Sequence, residues 1–291
     1  MISLYIHIPF CIRKCSYCDF VSYAGHNSEM FLRYIDGLCR EIEVRGNLIQ
    51  TGISTLYIGG GTPSLLSPIL IEKIFSSILK QCPSFSPNIE ISMEVNPATV
   101  NRENLKDLRN IGINRISLGM QSFNDRMLAT LGRIHTAEQA VTTYKECRQA
   151  GFDNINIDLM FALPGQDIKL WYQDIHTAVE FSPDHLSLYN LQVEEGTSLW
   201  RKQQKGLIVL PTEEEDAQMY TCAVRYLAAK GYPRYEISNF ARETRECLHN
   251  LTYWKNNNYL GIGVAAHSHI DGTRWANTSS LEDYLFAPEN A

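Results

Sequence analysis

Three cysteines, Cys11, Cys15 and Cys18, stand in C-x3-C-x2-C spacing within eight residues of one another. Three thiolates on one short loop can ligate three irons of a cubane cluster and leave the fourth iron free for an exogenous chelator. A zinc site would instead be closed by a fourth protein ligand, for which His7 and His26 are the nearby candidates. The other five cysteines, Cys39, Cys82, Cys147, Cys222 and Cys247, are isolated and read as small buried residues. Further along lie Gly59-Gly60-Gly61-Thr62-Pro63 and single polar residues beside apolar runs: Glu94, Gln121, Arg133 and Asp158. No Gly-Lys-Ser/Thr follows the glycines, which argues against a nucleotide P-loop. Adjacent glycines suit a close backbone approach or a tight strand-to-helix turn.

Stepping from the cysteines to what must hold them, short β-type runs alternate with longer helical segments, the pattern of βα units on a parallel sheet. Strands are expected over Leu4 to Ile8, Thr55 to Ile58, Glu90 to Glu94, Arg115 to Leu118, Asn154 to Leu159 and His185 to Tyr189. Helices are expected over Phe31 to Gly46, Pro68 to Gln81, Glu103 to Ile111, Ala137 to Ala150 and Lys169 to Phe181. In the first of these Leu32, Ile35, Leu38, Cys39 and Ile42 form the face toward the sheet and Gly46 is placed as its stop, with Gly112 and Gly151 ending later helices. Six such units predict an incomplete (β/α)6 barrel of TIM type, since eight close a full one. The open side would admit a large substrate. Residues 1–195 are assigned to this barrel. Residues 196–291, with a helix near Thr212 to Lys230 and short strands around Tyr235 and Tyr259, are assigned to an α+β extension across its open side.

A net charge of -6 without a lysine or arginine run gives no footprint for nucleic acid or an anionic membrane. The apolar stretch Met1 to Phe10 is broken by His7 and Pro9 and is too short for a membrane span or signal core, so a cytoplasmic protein with a small-molecule partner is expected. In that reducing compartment clustered cysteines point to metal or redox chemistry rather than disulfides.

With Cys11, Cys15 and Cys18 following the first strand, the sequence resembles the radical S-adenosylmethionine (SAM) superfamily. The resemblance implies a 4Fe-4S cluster whose fourth iron is chelated by SAM, and reductive cleavage of SAM to a 5'-deoxyadenosyl radical. The words Tyr5-Ile6-His7-Ile8-Pro9-Phe10-Cys11, Tyr17-Cys18-Asp19-Phe20 and Gly59-Gly60-Gly61-Thr62-Pro63 resemble the oxygen-independent coproporphyrinogen III oxidase group, and within it the HemW-like haem chaperones. This implies Tyr5 and Tyr17 beside SAM and the cluster; Gly60, Gly61 and Thr62 at the methionyl end of SAM; and Glu94, Gln121, Arg133 and Asp158 as SAM contacts, with the carboxylates on ribose hydroxyls or the amino group and Arg133 on the carboxylate.

Oxidases of the group carry a further cysteine two residues after the third cluster cysteine, where this sequence has Phe20. That departure favours the chaperone branch. The segment His249-Asn250-Leu251-Thr252-Tyr253-Trp254 resembles the H-N-x-x-Y-W stretch whose histidine is associated with haem in that branch, which implies haem contact at His249; His267 and His269 are secondary candidates. Relatives usually continue past the position of Tyr284 into a helical domain, which weakens the carry-over of haem transfer and partner docking. Expected partners are haem or a porphyrinogen, a low-potential electron donor and a haem-requiring client protein. The alternatives are an oxidase that converts two propionates of coproporphyrinogen III to vinyl groups, and a zinc-stabilised barrel used for binding only.

Overall fold

The computed structural model describes residues 1–82 and 84–290; Pro83, and Ala291 at the end of the expected extension, lie outside the described residues. Six parallel strands follow one another in chain order: β1 (Ile2–Ile8), β2 (Ile53–Gly60), β3 (Phe85–Val95), β4 (Arg115–Gln121), β5 (Ile155–Phe161) and β6 (His185–Asn190). Each expected strand is present and longer than its sequence pattern suggested, because residues beyond the alternating run still pair in the ladder. Along every strand the side chains alternate. Leu4, Ile6, Ile8, Leu56, Ile58, Met93, Ile116, Leu118, Ile157 and Leu186 point outward into one apolar core shared with the helices. Tyr5, Tyr57, Glu94, Ser117, Asn156 and Ser187 point inward and line internal space. A parallel sheet packed on both faces has strands that read as continuous apolar runs. Here the alternation marks an interior built as a lined chamber.

The helices pack on the outer face. Ser28–Val44 begins three residues earlier than expected because the Asn27 side chain caps it, accepting from the Met30 N–H. Its buried face is Tyr34, Ile35, Leu38 and Ile42, whereas Leu32, expected on that face, is exposed. Gly46 does not end the helix: Arg45 does, and Gly46 opens a four-residue helix, Gly46–Ile49. A Cβ on Gly46 would fall 2.5 Å from Gln81 Oε1, so the Gln81 side chain packs directly over this position. Pro68–Gln81, Arg102–Ile111, Ala137–Gln149, Ile168–Glu180 and Glu213–Ala229 lie within a residue or so of their expected spans. The seven-residue helices Asp125–Leu131, Ser198–Gln204 and Leu248–Trp254 are too short to show a period in sequence. Among the described residues no helix is long and apolar enough to cross a membrane.

The chain after β6 does more than lie across an open side. It adds β7 (Asn239–Ala241) antiparallel to β6, and at the opposite edge β8 (Tyr259–Ile262), parallel to β1, followed by antiparallel β9 (His267–Ile270) and β10 (Thr273–Ala276). The result is a ten-stranded sheet with seven successive parallel strands, β8 through β6.

A buried carboxylate ties this added edge to the first helix. Glu41 Oε2 accepts from the Gly263 N–H (2.8 Å) and the Tyr284 hydroxyl (2.7 Å), while Oε1 accepts from Asn277 Nδ2 (2.7 Å) and pairs with Arg45 Nε at 3.0 Å. Truncation would strand these donors in a dry environment, at the cost expected for breaking a buried pair. Glu41→Ala is therefore expected to lower unfolding free energy by about 3 kcal/mol or more, measured by urea denaturation.

Candidate functional site

The cysteine loop leaves β1 and is held at its middle. Phe10–Cys11 pairs with Tyr23–Ala24, closing the loop at its base. At its centre the Ser16 N–H donates to the Leu131 carbonyl (2.9 Å), the Ser16 hydroxyl to the Thr130 carbonyl (3.0 Å), and the Ser16 carbonyl accepts from the Leu199 N–H (2.7 Å). Arg13 Nη2 adds a bond to the Gly132 carbonyl (2.7 Å). Two short helices thus grip the loop from both sides. Cys11, Cys15 and Cys18 are half-buried and all line one cavity of about 520 Å³ at the C-terminal ends of the strands. Burial pushes the Cys11 and Cys18 thiols above their usual range, with the Thr62 hydroxyl pulling Cys11 the other way. Metal loading at these thiols therefore releases protons.

A mononuclear zinc centre would need a fourth protein ligand beside the three cysteines. Among the described residues no group of three or more His, Cys, Asp or Glu side chains is placed to hold a single metal ion. His7 is engaged on both nitrogens, Nδ1 with the Tyr5 hydroxyl (3.0 Å) and Nε2 with the Val21 carbonyl (3.1 Å). Three thiols on the rim of a roomy cavity fit a larger inorganic core with space beside it.

The rest of the cavity wall brings together most of the expected site. Gly60, Gly61, Thr62, Glu94, Gln121, Arg133, Asp158 and Tyr17 all line it. Gln121 reaches it through a left-handed backbone (φ 68°) at the end of β4, a conformation that re-aims the side chain. Glu94 accepts from the Tyr57 hydroxyl (3.1 Å) and the Gly60 N–H (3.0 Å); burial, then the Asp158 charge, pushes it up to about 7. Asp158 accepts from Asn156 Nδ2 (2.7 Å) and the Ser117 hydroxyl (3.0 Å), and burial raises it too. The glycines serve the fold of the loop itself. A Cβ on Gly61 would meet the Phe10 carbonyl oxygen at 2.7 Å, and one on Gly60 the His7 ring at 2.6 Å. Glycine here lets the turn lie against the chain entering Cys11, and the Gly60 N–H is already given to Glu94.

Two expected residues lie elsewhere. Tyr5 does not border the cysteine cavity: it lines a second chamber of about 220 Å³ deeper in the barrel and stacks on Tyr57 with ring centroids 6.2 Å apart. Tyr57, Glu94, Ser117 and Tyr189 form the shared wall. Sequence reading overlooked Tyr57, Ser117 and Tyr189, although their inward positions on alternating strands were the available signal.

His249 lines the same deep chamber. It is buried on the helix Leu248–Trp254, which closes the N-terminal mouth of the barrel. Its Nδ1 meets Thr55 Oγ1 at 2.8 Å, its Nε2 meets the Tyr253 hydroxyl at 2.9 Å, and its ring stacks on Tyr57 at 5.2 Å. Both nitrogens are occupied, and pockets for drug-sized ligands run about 300–1,000 Å³. Haem ligation by His249 is therefore not supported by this geometry. His269 is buried with Nδ1 near the Asn257 carbonyl (3.3 Å), and His267 is exposed.

The family model for the radical SAM superfamily matches residues 5–178, from within β1 through the cysteine loop and past the end of β5. The chain belongs to the radical SAM superfamily. This radical SAM chain is 40% identical to heme chaperone HemW of Bacillus subtilis over 98% of its own length and 75% of that protein. It is 38% identical to heme chaperone HemW of Lactococcus lactis, covering 98% and 74%. Among solved structures it matches the coproporphyrinogen III oxidase HemN of Escherichia coli, described as a radical SAM enzyme, with a TM-score of 0.86 and 27% identity over 99% of this chain and 69% of that one. The α/β barrel expected from the strand pattern is thus the fold of the family.

Burial holds His249 neutral by pushing it down to about 3. Between pH 6.5 and about 3 the unfolded chain then binds a proton that the folded chain does not, so this residue's share of stability is present above that window and is lost as pH falls through it. Urea unfolding of wild type and His249→Gln across this range should show the wild type losing stability more steeply on acidification than the variant.

Proposed function

We propose that Cys11, Cys15 and Cys18 hold a 4Fe-4S cluster and that SAM occupies the adjoining 520 Å³ cavity. Superfamily membership implies this cofactor pair, and the donor set and the room beside it fit. Bound there, the cluster would supply the electron for reductive cleavage of SAM. Residues 1–195 would form the cluster-bearing barrel, with 196–291 as the part that widens and plugs it. Glu94 and Asp158 would accept hydrogen bonds from the ribose or amino group, Gln121 would add an amide contact, and Arg133 would bring positive charge to the same rim. Tyr17 would pack over the cofactor between the cysteines. The surrounding wall would exclude water from the reacting centre.

For biological role, the reading is a haem chaperone that binds haem and passes it to a haem-requiring client in the cytoplasm, with a low-potential protein as electron donor. The observation that carries it is the identity of 40% and 38% to HemW chaperones across 98% of the chain. Phe20, standing where the resemblance places an extra cysteine in oxidases, supports the same branch; its side chain is 70% exposed at the cavity rim. The oxidase reading is favoured by the TM-score of 0.86 to HemN. Similar folds host different activities, so the sequence branch weighs more.

Anaerobically reconstituted protein is expected to bind haem saturably, with His249→Gln retaining that binding, and to form no vinyl product from coproporphyrinogen III, SAM and dithionite. Vinyl product would overturn the chaperone reading in favour of the oxidase. SAM affinity, followed by equilibrium dialysis, should tighten as pH rises through about 7, where the Glu94 carboxyl ionises and becomes an acceptor-only group. In Glu94→Gln that dependence should flatten and affinity should fall about tenfold, the scale of one charge-assisted hydrogen bond.

A further inference from the structure

The sequence reading left Asn96 unassigned, yet it sits where two of the three cysteine thiols are organised. It follows the last residue of β3 and its main chain is fixed. Its N–H donates to the Ser64 hydroxyl (3.1 Å), its carbonyl accepts from the Thr99 hydroxyl (2.7 Å), and those two hydroxyls meet at 2.6 Å. A side chain on so constrained a backbone has little freedom to turn away.

The two ends of its amide do opposite work. Nδ2 donates to Thr62 Oγ1 at 2.8 Å, and Oδ1 accepts from Arg133 Nη2. A hydroxyl has one proton, and because Asn96 fills an acceptor position on Thr62, that proton is free to point at Cys11 Sγ, 3.6 Å away. On the other side, Nη2 is shared between Asn96 and the Gly119 carbonyl (2.9 Å), which holds the guanidinium plane so that Nη1 donates to Cys15 Sγ at 3.6 Å. Turned over, the amide would set its NH2 against the guanidinium and draw the Thr62 proton away from sulfur. The hydrogen-bond pattern therefore fixes the amide orientation, and the orientation fixes a donor on each of two sulfurs.

We propose that Asn96 is a positioning residue that sets the reduction potential of the cluster, by orienting Thr62 onto Cys11 and Arg133 onto Cys15. This rests on the reading of the three cysteines as cluster ligands. Reduction adds negative charge to a thiolate-ligated core, and donors to the sulfurs stabilise that charge and raise the potential. An aspartate at 96 would accept from both neighbours. Thr62 would turn its proton to the carboxylate, Cys11 would lose its donor, and a negative charge would stand beside the core. Both changes disfavour the reduced state.

The test is a redox titration of the reconstituted protein followed by electron paramagnetic resonance, with iron and sulfide content measured on each sample. Asn96→Asp is expected to shift the reduction equilibrium at least tenfold toward the oxidised cluster, which is 59 mV for a one-electron couple. A smaller shift, or one of the opposite sign, with wild-type iron and sulfide content overturns the inference. Should Asn96→Asp fail to load a cluster, Thr62→Val and Thr62→Ser decide: a negative shift in the valine variant that serine restores supports the inference, and a wild-type potential in both overturns it. Absence of sulfide from the wild-type protein would overturn the cluster reading itself, a result separate from an intact cluster of unaltered potential.

Discussion

The structure depends on one constraint: the parallel strands turn polar side chains into the barrel, where burial favours pairing them with one another away from bulk water. The consequences run through the molecule. Glu90, inward on β3, accepts from the N–H groups of Leu248 and His249 (3.1 and 3.0 Å), so it caps from a distance a helix whose own Cys247 supplies no side-chain cap. Asn156 joins Ser117, Asp158, Ser187 and His185 across three strands. Ser3 and Thr55 tie the helix at Thr252 and His249. Arg115 is an exception: its buried Nε and Nη1 make no hydrogen bond, and Nε lies 4.0 Å from Glu90 Oε2. The plug at the N-terminal mouth is therefore a continuation of the barrel's hydrogen bonding, and the cavity at the opposite mouth is what the plug leaves open.

That division accounts for where chemistry can occur. The deep chamber is small, and its two histidines, His185 and His249, are held neutral by burial with their ring nitrogens engaged. The upper cavity has the volume, the three thiols and carboxylates raised by desolvation. Glu94, in the wall between them, is the carboxylate whose protonation is poised near neutrality.

Much of this was legible in the sequence, and what was not has a common cause. Cysteine spacing and strand-helix alternation are local signals, and they located the loop and the six strands, while the family resemblance supplied Glu94, Gln121 and Asp158, which the structure gathers on one cavity wall. The relations that escaped are long-range. Nothing local says that Glu41 will hold Gly263, Asn277 and Tyr284, or that Glu90 will cap residues 248 and 249. His249 stands in a motif word that suggests a ligand, but its role follows from Thr55, distant in sequence. Tyr5, expected by resemblance beside the cofactor, faces the deeper chamber, a placement set by the inward register of β1. Gly60 and Gly61, which suit either a close backbone approach or a tight turn, line the cavity and also make room for the chain that carries Cys11.

The gripped loop is expected to present three thiols around a core with one open coordination position. The most direct measurement is electron paramagnetic resonance of the anaerobically reconstituted, reduced protein with and without SAM, alongside metal and sulfide analysis. The expected result is iron and sulfide in equal amounts and a signal that changes on SAM addition, lost when Cys11, Cys15 or Cys18 is replaced by alanine. Stoichiometric zinc without sulfide, or a cluster signal indifferent to SAM, would contradict it.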